Sequence, residues 1–76
     1  MQFAQYDVVM VKSFLTEKLA EADAFNRRPP RVGDVATIIE IYSNPIGYEL
    51  ECSDADGITE WMVAFEPHEV ELELIK

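Results

Sequence analysis

The sequence predicts a mainly β protein, a small antiparallel barrel of about five strands with one short helix in its long first loop. Three observations point there. Short runs of β-branched and aromatic residues are separated by turns marked with Gly or Pro, the spacing of a meander. Only one stretch, Ser13 to Asn26, has helical periodicity, so the alternating strand–helix rhythm of a parallel sheet is missing. Two of the strands are apolar on both faces, which a sheet can reconcile by bending over on itself.

The first strand is expected at Tyr6 to Lys12. Val9 and Val11 share one face with Asp7, while Val8 and Met10 share the other with Lys12. Ser13 is then expected as the N-cap of the helix, with Leu15, Leu19, Ala22 and Phe25 forming one stripe. So short a helix is marginal alone in water, so its stripe should lie on the sheet. Asn26-Arg-Arg-Pro-Pro-Arg31 ends it, because Pro29 drives Arg28 out of the α region and the two prolines hold the chain extended. The three arginines are expected to meet this protein's own carboxylates.

Gly33-Asp34 is turn chemistry, Gly33 being free to take a positive φ. It opens the strand around which the rest is organised, Val35 to Tyr42. Val35, Thr37, Ile39 and Ile41 fall on one face and Ala36, Ile38 and Tyr42 on the other. Asn44-Pro-Ile-Gly47 reads as a turn with Asn44 first and Pro45 second. Tyr48 to Cys52 alternates cleanly, placing Tyr48, Leu50 and Cys52 inward and Glu49 and Glu51 outward. Ser53 to Gly57 is a second turn, with Gly57 suited to a left-handed position. Ile58 to Phe65 should point Trp61, Val63 and Phe65 inward and leave Met62 and Ala64 outside. Glu66 to Glu69 makes a tight turn or one turn of 3₁₀ helix, and Val70 to Leu74 closes the chain.

The 76 residues make one domain with room for one small core; a chain this short buries only about 60% of its unfolded surface. The lone Cys52 excludes an internal disulfide. Met1 to Asp7 lacks a basic segment followed by an apolar core, so no signal peptide is expected, and a cytoplasmic protein is the default. Charge is unevenly placed. Of a net −9, the segment from Val32 to Ile75 holds eleven carboxylates and no Lys or Arg. Such a surface repels phosphate backbones and anionic membranes and suits a basic partner.

An Asp-Val-Val-x-Val strand, a long loop and then Gly-Asp-x-Ala-Thr-Ile-Ile-Glu-Ile-Tyr resemble the opening of SH3-like barrels. The Gly-Asp-x-Ala-Thr-Ile segment is also similar to the KOW motif of transcription factors and ribosomal proteins, where Gly commonly stands at the position of Ala36 and the domains are usually basic. The chain further resembles an uncharacterised bacterial family of small proteins, known as a domain of unknown function, from which it departs by an expanded loop, Phe14 to Pro30. The resemblance implies an SH3-like barrel and assigns no activity.

Catalytic and metal chemistry find little footing. Laid on an EF-hand loop with Gly57 sixth, Asp54-Ala-Asp56-Gly57 puts Cys52 first and Val63 twelfth, neither of them a carboxylate. His68 is the single histidine, and Cys52 follows the inward phase of its strand. No catalytic residue, cofactor or metal is therefore expected. The expected function is protein interaction without turnover, with itself or with a protein partner. Apolar outer faces (Val8, Met10, Ile38, Tyr42 and Met62) and an acidic surface (Glu49, Glu51, Asp54, Asp56 and Glu60) would carry it. The alternative is a small acidic inhibitor or immunity-type protein that neutralises a basic enzyme. Neither reading involves a membrane, and the acidic strands disfavour nucleic acid.

Overall fold

The computed structural model describes residues 3–16 and 26–76. Five strands run in chain order: β1 (Val8–Phe14), β2 (Val35–Ser43), β3 (Ile46–Ser53), β4 (Thr59–Phe65) and β5 (Val70–Leu74). They form one antiparallel sheet in the order β4-β3-β2-β1-β5. Among the described residues there is no helix. Residues 17–25, which carry most of the expected helix, lie outside the described part. The proposed cap does not: Ser13 belongs to β1, where it pairs with Glu71. A polar residue after Lys12 looks like a helix start locally, but the ladder to a strand far along the chain keeps it extended.

The expected cylinder is not closed, since β4 and β5 remain edges with no ladder between them. The sheet nevertheless curls. Strands β1 and β4 stand three ladder spacings apart, about 14 Å in a flat sheet. Even so, the rings of Phe14 and Phe65 at their ends lie 6.1 Å apart, centre to centre. Bulges supply the bending. The extra residue lies in β1 between Val11 and Ser13, in β2 between Ile38 and Glu40, and in β4 between Thr59 and Trp61, opposite Ser53 and Cys52 of β3.

The concave side holds the core: Val9 and Val11 from β1, Ala36 and Ile38 from β2, Tyr48, Leu50 and Cys52 from β3, Trp61 and Phe65 from β4, and Val70 from β5. The inward phases of β1, β3 and β4 are as expected. In β2 the shift at Ile38–Glu40 flips the phase, so Ile38 opposes Leu50 and Ile41 opposes Tyr48, both facing the core. That is why this strand is apolar on both nominal faces. Ile38 is accordingly fully enclosed, and the outer apolar faces do not include it.

The turns follow from local chemistry. Gly33 and Gly57 adopt φ of +95° and +81°, values that a Cβ disfavours. Asp54 Oδ1 accepts from the N–H groups of Asp56 and Ile58 at 2.9 and 3.0 Å, an Asx turn that explains the Asp-x-Asp-Gly sequence without a metal. The β2–β3 connection is one residue out of its expected phase. Ser43 pairs with Ile46, so Asn44 and Pro45, joined by a cis peptide, are the two central residues. At 66–69 the chain makes a tight turn, Glu69 N–H donating to Glu66 C=O at 2.9 Å.

Candidate functional site

Where the carboxylates sit decides what surface is left for a partner, and the arginine loop settles part of that. Arg28 forks onto Asp34, Nη1 to Oδ2 at 2.9 Å and Nη2 to Oδ1 at 3.1 Å, while its Nε donates to Glu60 Oε2 at 3.0 Å. Asp34 Oδ2 also accepts from Trp61 Nε1 at 2.9 Å and from Arg31 N–H at 2.8 Å. Arg27 pairs with Asp54 at 3.7 Å. Thus Arg27 and Arg28 do meet the protein's own carboxylates. Burial pushes the Asp34 carboxyl up, but the Arg28 hydrogen bond and the donors from Arg31 and Trp61 outweigh it and hold the group below its ordinary range. The Asp34 hydrogen bond raises Arg28 further, against the opposing effect of burial. This knot fastens the first loop to β2 and β4 with every buried side-chain N and O satisfied among the described residues. It is structural in character.

Cys52 lies under the knot, 3.8 Å from Arg28 Nη2. Burial first, then the Asp34 charge, pushes its thiol up, away from the thiolate form that a nucleophile needs.

The expected partner-binding residues separate into groups. Val8, Thr37, Glu51 and Met62 lie in one row across the outer face, each opposite the next in the ladders. Met62 is 42% exposed, but Glu51, which accepts from Thr59 Oγ1 at 2.6 Å, stands between it and Val8. Met10 opposes Val35 one row away. Glu51 therefore separates Met62 from the outer apolar side chains of Val8, Met10 and Val35. Glu60 is held by Arg28 and Asp54 by its turn and Arg27, whereas Asp56 is exposed at the hairpin tip. Glu49 accepts from Tyr42 OH at 2.8 Å, and this bond, ahead of partial burial, raises the Tyr42 phenol.

Tyr42 leads to a feature that the sequence does not announce. It joins Pro45, Ile46, Ala64 and Phe65 in lining an open groove of about 320 Å³, with Glu66 and Glu69 on its border. Ile46 is 55% exposed there. A smaller hollow of about 180 Å³, lined by Phe3, Ile41 and Tyr48, shares Tyr42 and Ile46, so these two side chains form the ridge between the hollows. Gly47 keeps the floor low: a Cβ there would stand 3.4 Å from Phe65 O and 3.7 Å from the Tyr42 ring. The one available signal was Ile46 itself, an apolar residue in the middle of a stretch with turn chemistry.

At the same end, ligand atoms of Glu66, His68 and Glu69 lie within 4.8 Å of one another. Glu69 is buried, and its Oε1 accepts from Glu66 N–H at 2.8 Å, so this carboxylate already serves the turn. No helix of the described residues is long and apolar enough to cross a membrane. Comparisons of the chain with protein-family models, with curated proteins and with solved structures found no match in any of the three.

Proposed function

We propose that this chain is a non-enzymatic protein-interaction module on an SH3-like barrel scaffold, taking a polypeptide partner in the groove between the β2–β3 connection and the 66–69 turn. The scaffold reading is supported by the strand order β4-β3-β2-β1-β5, the long first loop and the tight turn before β5. The observation that carries the function is the groove itself. It is apolar and aromatic, open to solvent, bordered by carboxylates, and sits at the small end of the ~300–1,000 Å³ typical of binding sites, enough for one or two side chains. Aromatic residues in such positions anchor protein interfaces.

The second reading, a small acidic protein that neutralises a basic enzyme, is favoured by the eleven carboxylates and absence of Lys or Arg from Val32 to Ile75. Four of these carboxylates, Asp34, Asp54, Glu60 and Glu73, are matched within the described residues by Arg27, Arg28 and Lys12.

Affinity purification with the wild-type chain and with Ile46→Glu tests the proposal. Ile46 is exposed, so the variant folds normally, and a genuine groove partner is recovered by the wild type and lost by the variant. Recovery of the same proteins by both would refute the groove. For the inhibitor reading, association with the basic enzyme must slow steeply as salt rises. Self-association is read by sedimentation, a strict monomer at high micromolar concentration counting against it.

A further inference from the structure

An open sheet has two edges, and this chain treats them differently. Along β4 the first loop lies on the edge: Arg27 N–H donates to Glu60 C=O at 2.7 Å, and Met62 N–H donates to Asn26 Oδ1 at 3.0 Å. Along β5 nothing comparable happens among the described residues. Glu69 C=O accepts from Leu15 N–H at 2.9 Å and Ile75 N–H donates to Val8 C=O at 2.7 Å, both towards β1. Main-chain groups alternate along a strand, so Glu71 and Glu73 also turn theirs to β1, and Val70, Leu72 and Leu74 turn theirs away. On that outer side these three make no hydrogen bond with any other described residue.

Side chains restrict what can pair there. Glu71 and Glu73 stand exposed on the outer face. Glu71 accepts from Ser13 Oγ at 3.1 Å and Glu73 meets Lys12 Nζ at 3.1 Å. A second copy of β5 added antiparallel about Leu72 would set Glu71 opposite Glu73 twice, and like charges directly opposite are destabilising. The same two positions would favour Lys or Arg on an incoming strand. The chain's net charge of −9 draws the same kind of partner.

We infer that the outer edge of β5 is a docking site for an extended segment of a partner protein carrying Lys or Arg at alternate positions, added to the sheet as a sixth strand. The site is separate from the groove and does not depend on it.

The test is ¹⁵N NMR on the full chain with a seven-residue peptide alternating Lys and Val, against its Glu–Val counterpart. In the free protein the amides of Val70, Leu72 and Leu74 exchange fast while those of Glu71 and Glu73 are protected. With the Lys–Val peptide all five become protected, and the Glu–Val peptide binds at least tenfold more weakly. Two further Lys–Val peptides, N-methylated at odd or at even positions, must differ, because only one set of amides can face β5. The double variant Glu71→Lys, Glu73→Lys reverses the preference to the Glu–Val peptide. Equal binding of the two N-methylated peptides, or of the Lys and Glu peptides, overturns the inference. Shifts confined to Tyr42–Gly47 and Ala64–Glu66 also overturn it, while leaving the groove proposal standing.

Discussion

Replacing Asp34 with Asn keeps the size of the side chain and removes its charge at the centre of the loop knot. The carboxylate accepts four hydrogen bonds: two from Arg28, one from Arg31 N–H and one from Trp61 Nε1. Three of them converge on Oδ2, so the amide oxygen of the substituted side chain would occupy that place, and its NH₂ would then face Arg28 Nη2. One charge-assisted bond becomes a donor–donor contact, and the others lose their ionic part. Asp34 and Arg28 side chains are 14% and 23% exposed, so screening is limited. A hydrogen bond to a charged group contributes about 1.5–3 kcal/mol, which puts the loss for D34N at about 2–3 kcal/mol. For a domain of this size that lowers the melting temperature by roughly 10–20 °C. Urea unfolding followed by Trp61 fluorescence measures it, with Glu73→Gln as control, since its exposed pair with Lys12 is worth at most about 1 kcal/mol. The pH dependence has a fixed sign. Folding lowers the Asp34 carboxyl, so its contribution is complete above the unfolded pKa and is lost as pH falls through the folded one. The gap between wild type and D34N must therefore shrink in acid. A D34N loss no greater than that of the control, or a gap independent of pH, would refute the claim that the knot holds the loop.

Three other outcomes follow. Trp61→Phe leaves a cavity and frees Asp34 of one donor, costing about 2–3 kcal/mol by denaturant titration, and a loss below about 1 kcal/mol would contradict the full burial of Trp61. Gly57→Ala meets no atom within 4 Å but must keep a φ of +81°, so calorimetry should show a loss of about 1–2 kcal/mol from backbone strain alone, and a neutral variant would mean the turn relaxes. Cys52 should react with a thiol reagent many-fold more slowly in the folded protein than in denaturant, because burial both shields it and disfavours its thiolate; equal rates would place the thiol outside the core.

Period-two alternation alone was enough to place Val9 and Val11, then Tyr48, Leu50 and Cys52, then Trp61 and Phe65 on the inside, because these strands keep phase along their buried lengths. It failed at Ile38. A bulge adds one residue to a strand and reverses every later side chain, and no local pattern marks where it falls. Val35 to Tyr42 showed that something must give, by carrying apolar residues on both faces, without showing at which residue. Ser13 failed for a related reason: its partner, Glu71, is 58 residues away, and long-range pairing overrode a plausible cap. The groove was hidden because residues 42–47 and 64–69 make it jointly, and only the β3–β4 ladder, with Tyr48 opposite Phe65, brings them together.

The charge distribution and the two edges share one cause. Arg27 and Arg28 are anchored on Asp54, Asp34 and Glu60, and the same Asn26–Arg28 segment pairs with the β4 edge. The basic loop thus closes one edge and neutralises the carboxylates beside it. On the far edge, β5 has Lys12 against Glu73 and the neutral hydroxyl of Ser13 against Glu71. Glu49, Glu51 and Glu71 each accept a hydrogen bond from a neutral hydroxyl, of Tyr42, Thr59 and Ser13 in turn, rather than from a cation. Among the described residues, Glu49 and Glu51 on β3 and Glu71 on β5 therefore have no arginine paired with them. Moving Arg28 out of the knot, for example as Arg28→Met, would therefore do two things together. It would uncover Asp34 and Glu60 as new acidic surface, and it would loosen the Asn26–Arg27 contacts with Glu60 and Met62. Hydrogen exchange reads the second effect directly: the Met62 amide should lose protection while Leu50 and Val9, deep in the sheet, keep theirs. Uniform loss across all five strands would instead mean that the knot supports the whole core.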